Sequence, residues 1–394
     1  MNYILFDDQS WNDLLPLTYT RPVSQIRIGI LTIAEKWEKH LKSTISYKTQ
    51  VYLQEKFPLT VEKDNILING GICPDAELIK SIEQLKENQT LIQNNVIIAV
   101  RLKNDDIASF SSEIPTKEGI EYSQPFSKIN FPWEIFKNNS TELIADFKLL
   151  TNGRQSQPLH ESNRALCPEN IFIEEGAQIL FSTLNASTGP IYIGKDAEIM
   201  EGSIVRGPFA LCEHATLKMA AKIYGPTTIG PHSKVGGEIN NSVIFGQSNK
   251  AHDGFLGNSV LGEWCNLGAD TNNSNLKNNY EEVKLWSYSK QRFVKTGLQF
   301  CGLIMGDHSK SGINTMFNTG TVVGVSANIF GDGFPRNFIP SFSWGGAAGF
   351  QQYAPIKAFD VATKVLARRN MEFSEIDKNI LLTIHEMDKQ WRNF

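Results

Sequence analysis

The chain has 394 residues, a formal net charge of −4 and 41% hydrophobic residues, enough for two or three domains with apolar cores. That balance leaves no basic footprint for nucleic acid, and five cysteines without a C-x-x-C pair do not make a secreted disulfide scaffold. No run approaches the ~20 apolar residues that span a bilayer, and residues 1–8 carry no basic and apolar leader, so a cytoplasmic protein without membrane or nucleic-acid partners is expected.

In chain order, residues 1–150 alternate strand and helix signals, the pattern of a Rossmann-like α/β domain with a sheet covered by helices. Residues 3–6 form an apolar run closed by Asp7-Asp8, a first strand. Residues 26–41 have helical spacing, and residues 66–68 read as a buried strand ending at Asn69-Gly70-Gly71. Residues 74–87 read as a helix opened by Pro74. Residues 91–92 and 96–100 flank Asn94-Asn95 as the arms of a hairpin. Residues 151–168 are polar, with Gly and Pro, and read as a linker.

From residue 169 to 335 a different rhythm governs. An aliphatic residue falls on every sixth position at Ile193, Ile199, Val205, Leu211, Leu217, Ile223, Ile229 and Val235. The beat returns at Phe255, Leu261 and Leu267, then at Met305, Phe317, Val323 and Ile329. A period of six belongs to neither a helix nor an alternating strand. It is the signature of a hexapeptide β-helix, in which three hexads close one coil and successive coils stack roughly 4.8 Å apart.

The register slips between Ile179 and Ile193, between Val235 and Phe255, and between Leu267 and Met305. Each slip is expected to extrude residues from the wall, most of all residues 272–296, and extruded loops on a rigid scaffold commonly carry function. His214 and His232 should stack at one corner as solvated rings with no metal between them, and His308 takes the same place in its hexad. Trp264, Trp286 and Trp344 read as packing residues. Beyond Gly331 the beat stops. Residues 336–394 are expected to hold an irregular aromatic segment and two helices, over 355–369 and from Ser374, which caps with Asp377.

Two resemblances add to this reading. Leu15-Pro16-Leu17-Thr18, Thr20-Arg21-Pro22, Gly29 and Lys36 resemble the opening of the sugar-1-phosphate nucleotidyltransferases. That implies Arg21 and Lys36 as phosphate-binding cations, a nucleoside triphosphate as substrate, and Mg²⁺ if the domain is active. The chain departs from the family at residues 7–11, where a Gly-rich phosphate loop is replaced by Asp7-Asp8-Gln9-Ser10-Trp11. It departs again at Asn69-Gly70-Gly71, which lacks the carboxylate a hard cation wants.

The second series is more specific. Residues 238–245, 252–257, 266–271, 275–277, 283–284, 296–297 and 306–315 resemble, in order, the acetyltransferase half of the bifunctional sugar-1-phosphate nucleotidyltransferase/amino-sugar-1-phosphate N-acetyltransferases. This implies a left-handed parallel β-helix, a homotrimer, and acetyl-CoA-dependent N-acetylation of an amino-sugar-1-phosphate. It also implies His252 as general base, the usual role of an imidazole whose pKa lies near 6.5. Asn275 then orients the sugar, Lys284 meets its phosphate, and Phe255 and Glu238 line the acceptor. Lys295, Lys310 and Arg336 are the candidate contacts of the polyanionic coenzyme. Phe255, Asp270 and Glu281 stand where the family has Tyr, Gly and Lys, which leaves both an altered acceptor and a lost activity open. Nucleotidyl transfer in residues 1–150, and a non-catalytic oligomer that binds a sugar nucleotide, are the alternative readings.

Overall fold

A computed structural model describes residues 1–112 and 119–394. Two units emerge: Met1–Leu14, Thr20–Ile26 and Leu31–Phe131 form the first, and Leu15–Tyr19, Arg27–Ile30 and Pro132–Phe394 the second. The helix Pro132–Thr151, which a boundary at residue 150 puts in the N-terminal domain, clusters with the second unit.

In the first unit β1 (Asn2–Phe6), β2 (Ile45–Lys48), β3 (Asp64–Asn69), β4 (Thr90–Gln93), β5 (Val96–Lys103) and β6 (Gly119–Glu121) make one sheet in the order β2-β1-β3-β5-β4-β6. β1 is parallel to both neighbours, so the chain leaves it to one side for β2 and returns on the other for β3. The carboxyl end of β1 is therefore a topological switch point, where open α/β sheets hold ligands. The β4–β5 hairpin turns through Asn94 and Asn95, both left-handed, at φ 49 and 64°, as the tightest hairpins require. The helix expected over 26–41 begins only at Ile33. Thr32 and Glu35 form a capping box there, with Thr32 N donating to Glu35 Oε2 at 2.6 Å and Glu35 N to Thr32 Oγ1 at 3.2 Å. Asp75 likewise starts the next helix, Ala76–Glu83, by accepting from the Glu77 and Leu78 amides. Ile4, Phe6, Leu67, Val100 and Leu102 form the core against this sheet.

In the second unit, strands of two to four residues stack in walls of six, nine and ten, the faces of a left-handed parallel β-helix of about ten turns. The ladder begins at Arg164–Leu166, inside the stretch read as linker. Ile193 pairs with Leu211, and Leu211 with Ile229, so the aliphatic row is a continuous buried column. Burying each such side chain contributes about 1.5–3 kcal/mol, realised only when neighbouring coils are present.

The first and third slips add residues, as expected: Ile173 pairs with Ile193, and Leu261 with Met305. The second removes them. Ile229 pairs with Ile244 and Val235 with Lys250, so these coils are shorter than eighteen residues. The inward side chain of the following strand is Leu256, and Phe255 faces outward. Phase alone does not separate residues lost from residues gained, and a lysine on the inward row hid the beat.

The rhythm also outlasts Gly331. Phe338–Ile339 pairs with residues 322–323, and Ser343–Gly346 pairs with residues 328–329 before folding back on Gly349–Gln352. The segment expected to be irregular thus forms a last coil, filled by the fully buried Ile339 and Phe342. Helices Pro355–Ala367 and Glu375–Met387 follow, the second opened by the Ser374–Asp377 capping box. Helix Pro132–Thr151 is fastened by Asn139, fully buried: its Oδ1 accepts from Gly29 N at 2.7 Å, and its Nδ2 donates to Thr228 Oγ1 and Pro226 O, each at 3.1 Å. None of the five cysteines is in a disulfide. Among the described residues no helix is long and apolar enough to cross a membrane.

Candidate functional site

On the six-stranded wall, residues flanking the inward row point outward in two columns. Ile204, Lys222, Glu238 and Phe255 succeed one another in register along one column, and Tyr224, Asn240 and Gly257 along the other, with Arg206 on the coil before. The rungs lie about 4.8 Å apart. A groove of about 530 Å³ opens at the early coils, lined by Thr188, Ile204, Arg206, Lys222, Tyr224 and Pro226. Tyr224 donates to Glu238 Oε1 at 2.6 Å, and that bond to a carboxylate, with burial, pushes the phenol up to about 12. Arg206 and Lys222 are exposed cations above this pair. Reading the outward as well as the inward hexad positions would have found all three of Arg206, Lys222 and Tyr224.

Below Glu238 the site closes around Gly257. A Cβ on residue 257 would stand 2.5 Å from Phe255 Cζ and 2.7 Å from Asn275 Nδ2. The ring and the amide therefore meet over the one residue that leaves them room. Asn275 Nδ2 is aimed by a 2.8 Å bond to Asn258 Oδ1. The side chain of Asn272 stands in for a ladder bond, accepting from Phe255 N at 2.8 Å. Glu238, Phe255 and Asn275 are thus brought together on one wall.

His252 stands in the turn before this strand, with an exposed ring that has no hydrogen-bond partner among the described residues. Lys284 lies on the extruded segment, which is not a plain loop: Lys284–Ser287 and Arg292–Lys295 pair as an antiparallel hairpin with Lys284 opposite Lys295. Trp286 on that hairpin stacks on Phe338 at 4.3 Å and meets Trp391 edge-on. Lys295 pairs with Glu282 at 3.6 Å. Lys310 is half-buried on the ten-stranded wall, its ammonium donating to His308 O at 2.9 Å. Arg336 lies 5.1 Å from the ring centroids of both Phe350 and Phe394. The three coenzyme candidates therefore sit on three different elements.

In the first unit Arg21 and Lys36 are both buried, at 4% and 2% exposure, so neither is an ordinary solvated cation. At the switch point Asp7 accepts from Val23 N and Thr49 Oγ1. Burial pushes its carboxyl up to about 7. Asp8 differs. Burial opposes its ionisation, but the Lys128 ammonium at 3.1 Å and bonds from Ser10 and Asn69 outweigh this and hold its carboxyl below the usual range. The Mg²⁺ expected of an active domain finds no fit here, because Asp8 is already spent on Lys128, Ser10 and Asn69.

His214 and His232 stack at one corner with centroids 4.8 Å apart, as their spacing requires. Trp264 and His308 stack in the same way at 6.2 Å. Among the described residues no group of three His, Cys, Asp or Glu side chains is placed to hold a metal ion.

Residues 3–155 match a family described as sugar nucleotidyl transferase. The chain is 29% identical over 285 residues to the bifunctional protein GlmU of Methanococcus maripaludis strain C5, covering 72% of this chain and 61% of that protein. It is 26% identical over 259 residues to the bifunctional protein GlmU of Methanocaldococcus jannaschii, covering 66% and 54%. A bifunctional sugar-1-phosphate nucleotidylyltransferase/acetyltransferase of Sulfurisphaera tokodaii is 30% identical over 144 residues, covering 36% and 35%. The chain thus spans between 35% and 61% of the length of these curated relatives.

Proposed function

The chain is a relative of the GlmU-like bifunctional nucleotidyltransferase/acetyltransferases, and from that premise we propose that its β-helix moves an acetyl group from acetyl-CoA to the amine of an amino-sugar-1-phosphate. The observation that carries this reading is the convergence of Phe255 and Asn275 over Gly257, with Glu238 on the rung beside them.

In this reading the sugar ring lies against Phe255, with Asn275 and Glu238 as its hydrogen-bonding partners. Lys222 and Arg206 face its phosphate from the rungs above, and Lys284 is a further candidate for that anion. An ammonium cannot attack a thioester, so the His252 imidazole first takes a proton from the acceptor. The freed amine attacks the thioester carbonyl carbon, a C–N bond forms, the C–S bond breaks, and the leaving thiolate is protonated. Lys295, Lys310 and Arg336 are the candidate coenzyme contacts. The groove is open along one side, and exposed Ile204, Met219 and Phe181 support a neighbouring copy of the chain in a homotrimer as the missing wall.

The test is release of free thiol from acetyl-CoA and glucosamine-1-phosphate. Wild type should release it and a His252→Ala variant should lose at least 99% of the rate, in line with the ~10²–10⁴ that general bases contribute. Equal rates in both would remove His252 from the chemistry.

A second reading is nucleotidyl transfer in the first unit, supported by the family match over residues 3–155 and by the buried Arg21 and Lys36. Pyrophosphate formed from a nucleoside triphosphate and a sugar-1-phosphate, lost on Arg21→Ala, would favour it. Thermal stabilisation by sugar nucleotides without turnover would favour a binding protein instead.

A further inference from the structure

Lys250 stands where the inward row calls for an aliphatic side chain. It is 1% exposed, it follows Val235 in register, and Leu267 comes next on the following coil. A buried ammonium is costly unless its donors are met by good acceptors. Here Nζ donates to His252 O at 2.8 Å and to Gly236 O at 3.2 Å. Burial still pulls its pKa down to about 8, against the attraction of Asp253 and Asp270. A methionine or leucine would fill the same space with no such cost, so the ammonium does something that volume alone does not.

What it holds is the turn that carries the imidazole. Residues 251–254 link the strands Asn249–Lys250 and Phe255–Gly257. Two carbonyls of the turn are tied by the coil ladder: Asp253 O accepts from Asp270 N at 3.0 Å, and Gly254 O from Glu238 N at 3.2 Å. The His252 carbonyl is taken from inside the prism, by the side chain two residues before it. Gly236, the other acceptor, lies just past the preceding coil's strand Lys234–Val235, so one ammonium bridges two coils at the level of the turn.

We propose that Lys250 is a positioning residue, an interior ammonium that clamps the His252 backbone and thereby sets the direction in which the exposed imidazole points. The catalytic half of this statement rests on His252 being the base of the acyl transfer described above; the clamp itself does not.

The experiment uses the full-length protein and a Lys250→Met variant, which keeps an unbranched side chain inside and removes the donors. Hydrogen–deuterium exchange of the amides that close on the turn, Glu238 N on Gly254 O, Asp270 N on Asp253 O and Phe255 N on Asn272 Oδ1, should rise at least tenfold in the variant, with peptides from the early coils unchanged. Unchanged exchange at these three amides overturns the clamp. In thiol release, kcat per folded molecule, with the folded fraction taken from circular dichroism, should fall at least tenfold while the acceptor KM stays within threefold. A kcat within twofold of wild type overturns the positioning role. If wild type itself releases no thiol, the acyl-transfer reading fails, and the exchange arm alone still decides the clamp. Should Lys250→Met be insoluble, Lys250→Gln, which keeps a shorter polar group, is measured in the same two ways.

Discussion

At the scale of single residues, two environments make opposite demands on the same chemistry. Asp7 and Asp8 are sequence neighbours, yet burial raises the first to about 7 while Lys128, Ser10 and Asn69 hold the second below its usual range. Between the ordinary carboxylate value of 3.8 and about 7, folded Asp7 keeps a proton that the unfolded chain has released. Its contribution to stability is therefore intact below 3.8 and is lost as pH rises towards 7. Asp7→Asn should raise Tm by about 2–4 °C at pH 8 and give no gain at pH 4; a gain equal at both values would mean that Asp7 does not titrate as described. Gly257 supplies the second residue-scale prediction. Gly257→Ala would displace the tips of Phe255 and Asn275, so the acceptor KM should rise at least tenfold with the melting temperature nearly unchanged. An unaltered KM would place the acceptor elsewhere.

At the scale of elements, the extruded hairpin is held by its aromatic side chains. Trp286 stacks on Phe338 and touches Trp391, and Tyr288 meets Phe338 and Trp391 edge-on. Pairs of this kind add about 0.5–1.5 kcal/mol each beyond their area. Trp286→Ala should therefore expose residues 276–299 to limited proteolysis and leave the coil walls resistant. Cleavage no faster than in wild type would show that the strand pairing alone holds the hairpin. Trp286 is a packing residue, as expected, but its partners lie 52 and 105 residues away in the chain, so no local pattern names them. The helix starting at Ile33 is the converse case. Thr32 and Glu35 are three apart, a purely local signal that fixes where the helix starts.

At the scale of the whole molecule, one wall of the β-helix presents cations, a carboxylate and an aromatic ring beside exposed Ile204, Met219 and Phe181. A neighbouring copy of the chain on that wall predicts a solution mass about three times the 44.1 kDa of one chain by sedimentation. Ile204→Arg, set beside Lys222 and near Arg206, should shift the mass to that of a single chain with the circular dichroism spectrum unchanged. Wild type sedimenting as a monomer would leave the groove open and the site without its second wall.

The β-helix was legible because its cause is periodic. A side chain on every sixth position must face inward for the coil to close, and that requirement is written into the order of residues without reference to anything distant. The same holds for the stacked rings of His214 and His232, whereas the outward pairing of Glu238 with Phe255 lies across the shortened coils and was not readable from the beat, which placed Phe255 inward. Only tertiary structure decided the rest: that three residues are missing from one coil, that Lys250 lies inside it, that Asn275 folds back over Gly257, and that Lys128 sits on Asp8. Each of these depends on atoms brought together from separate coils or strands, where the free energy belongs to the contact and leaves no spacing in the chain to read.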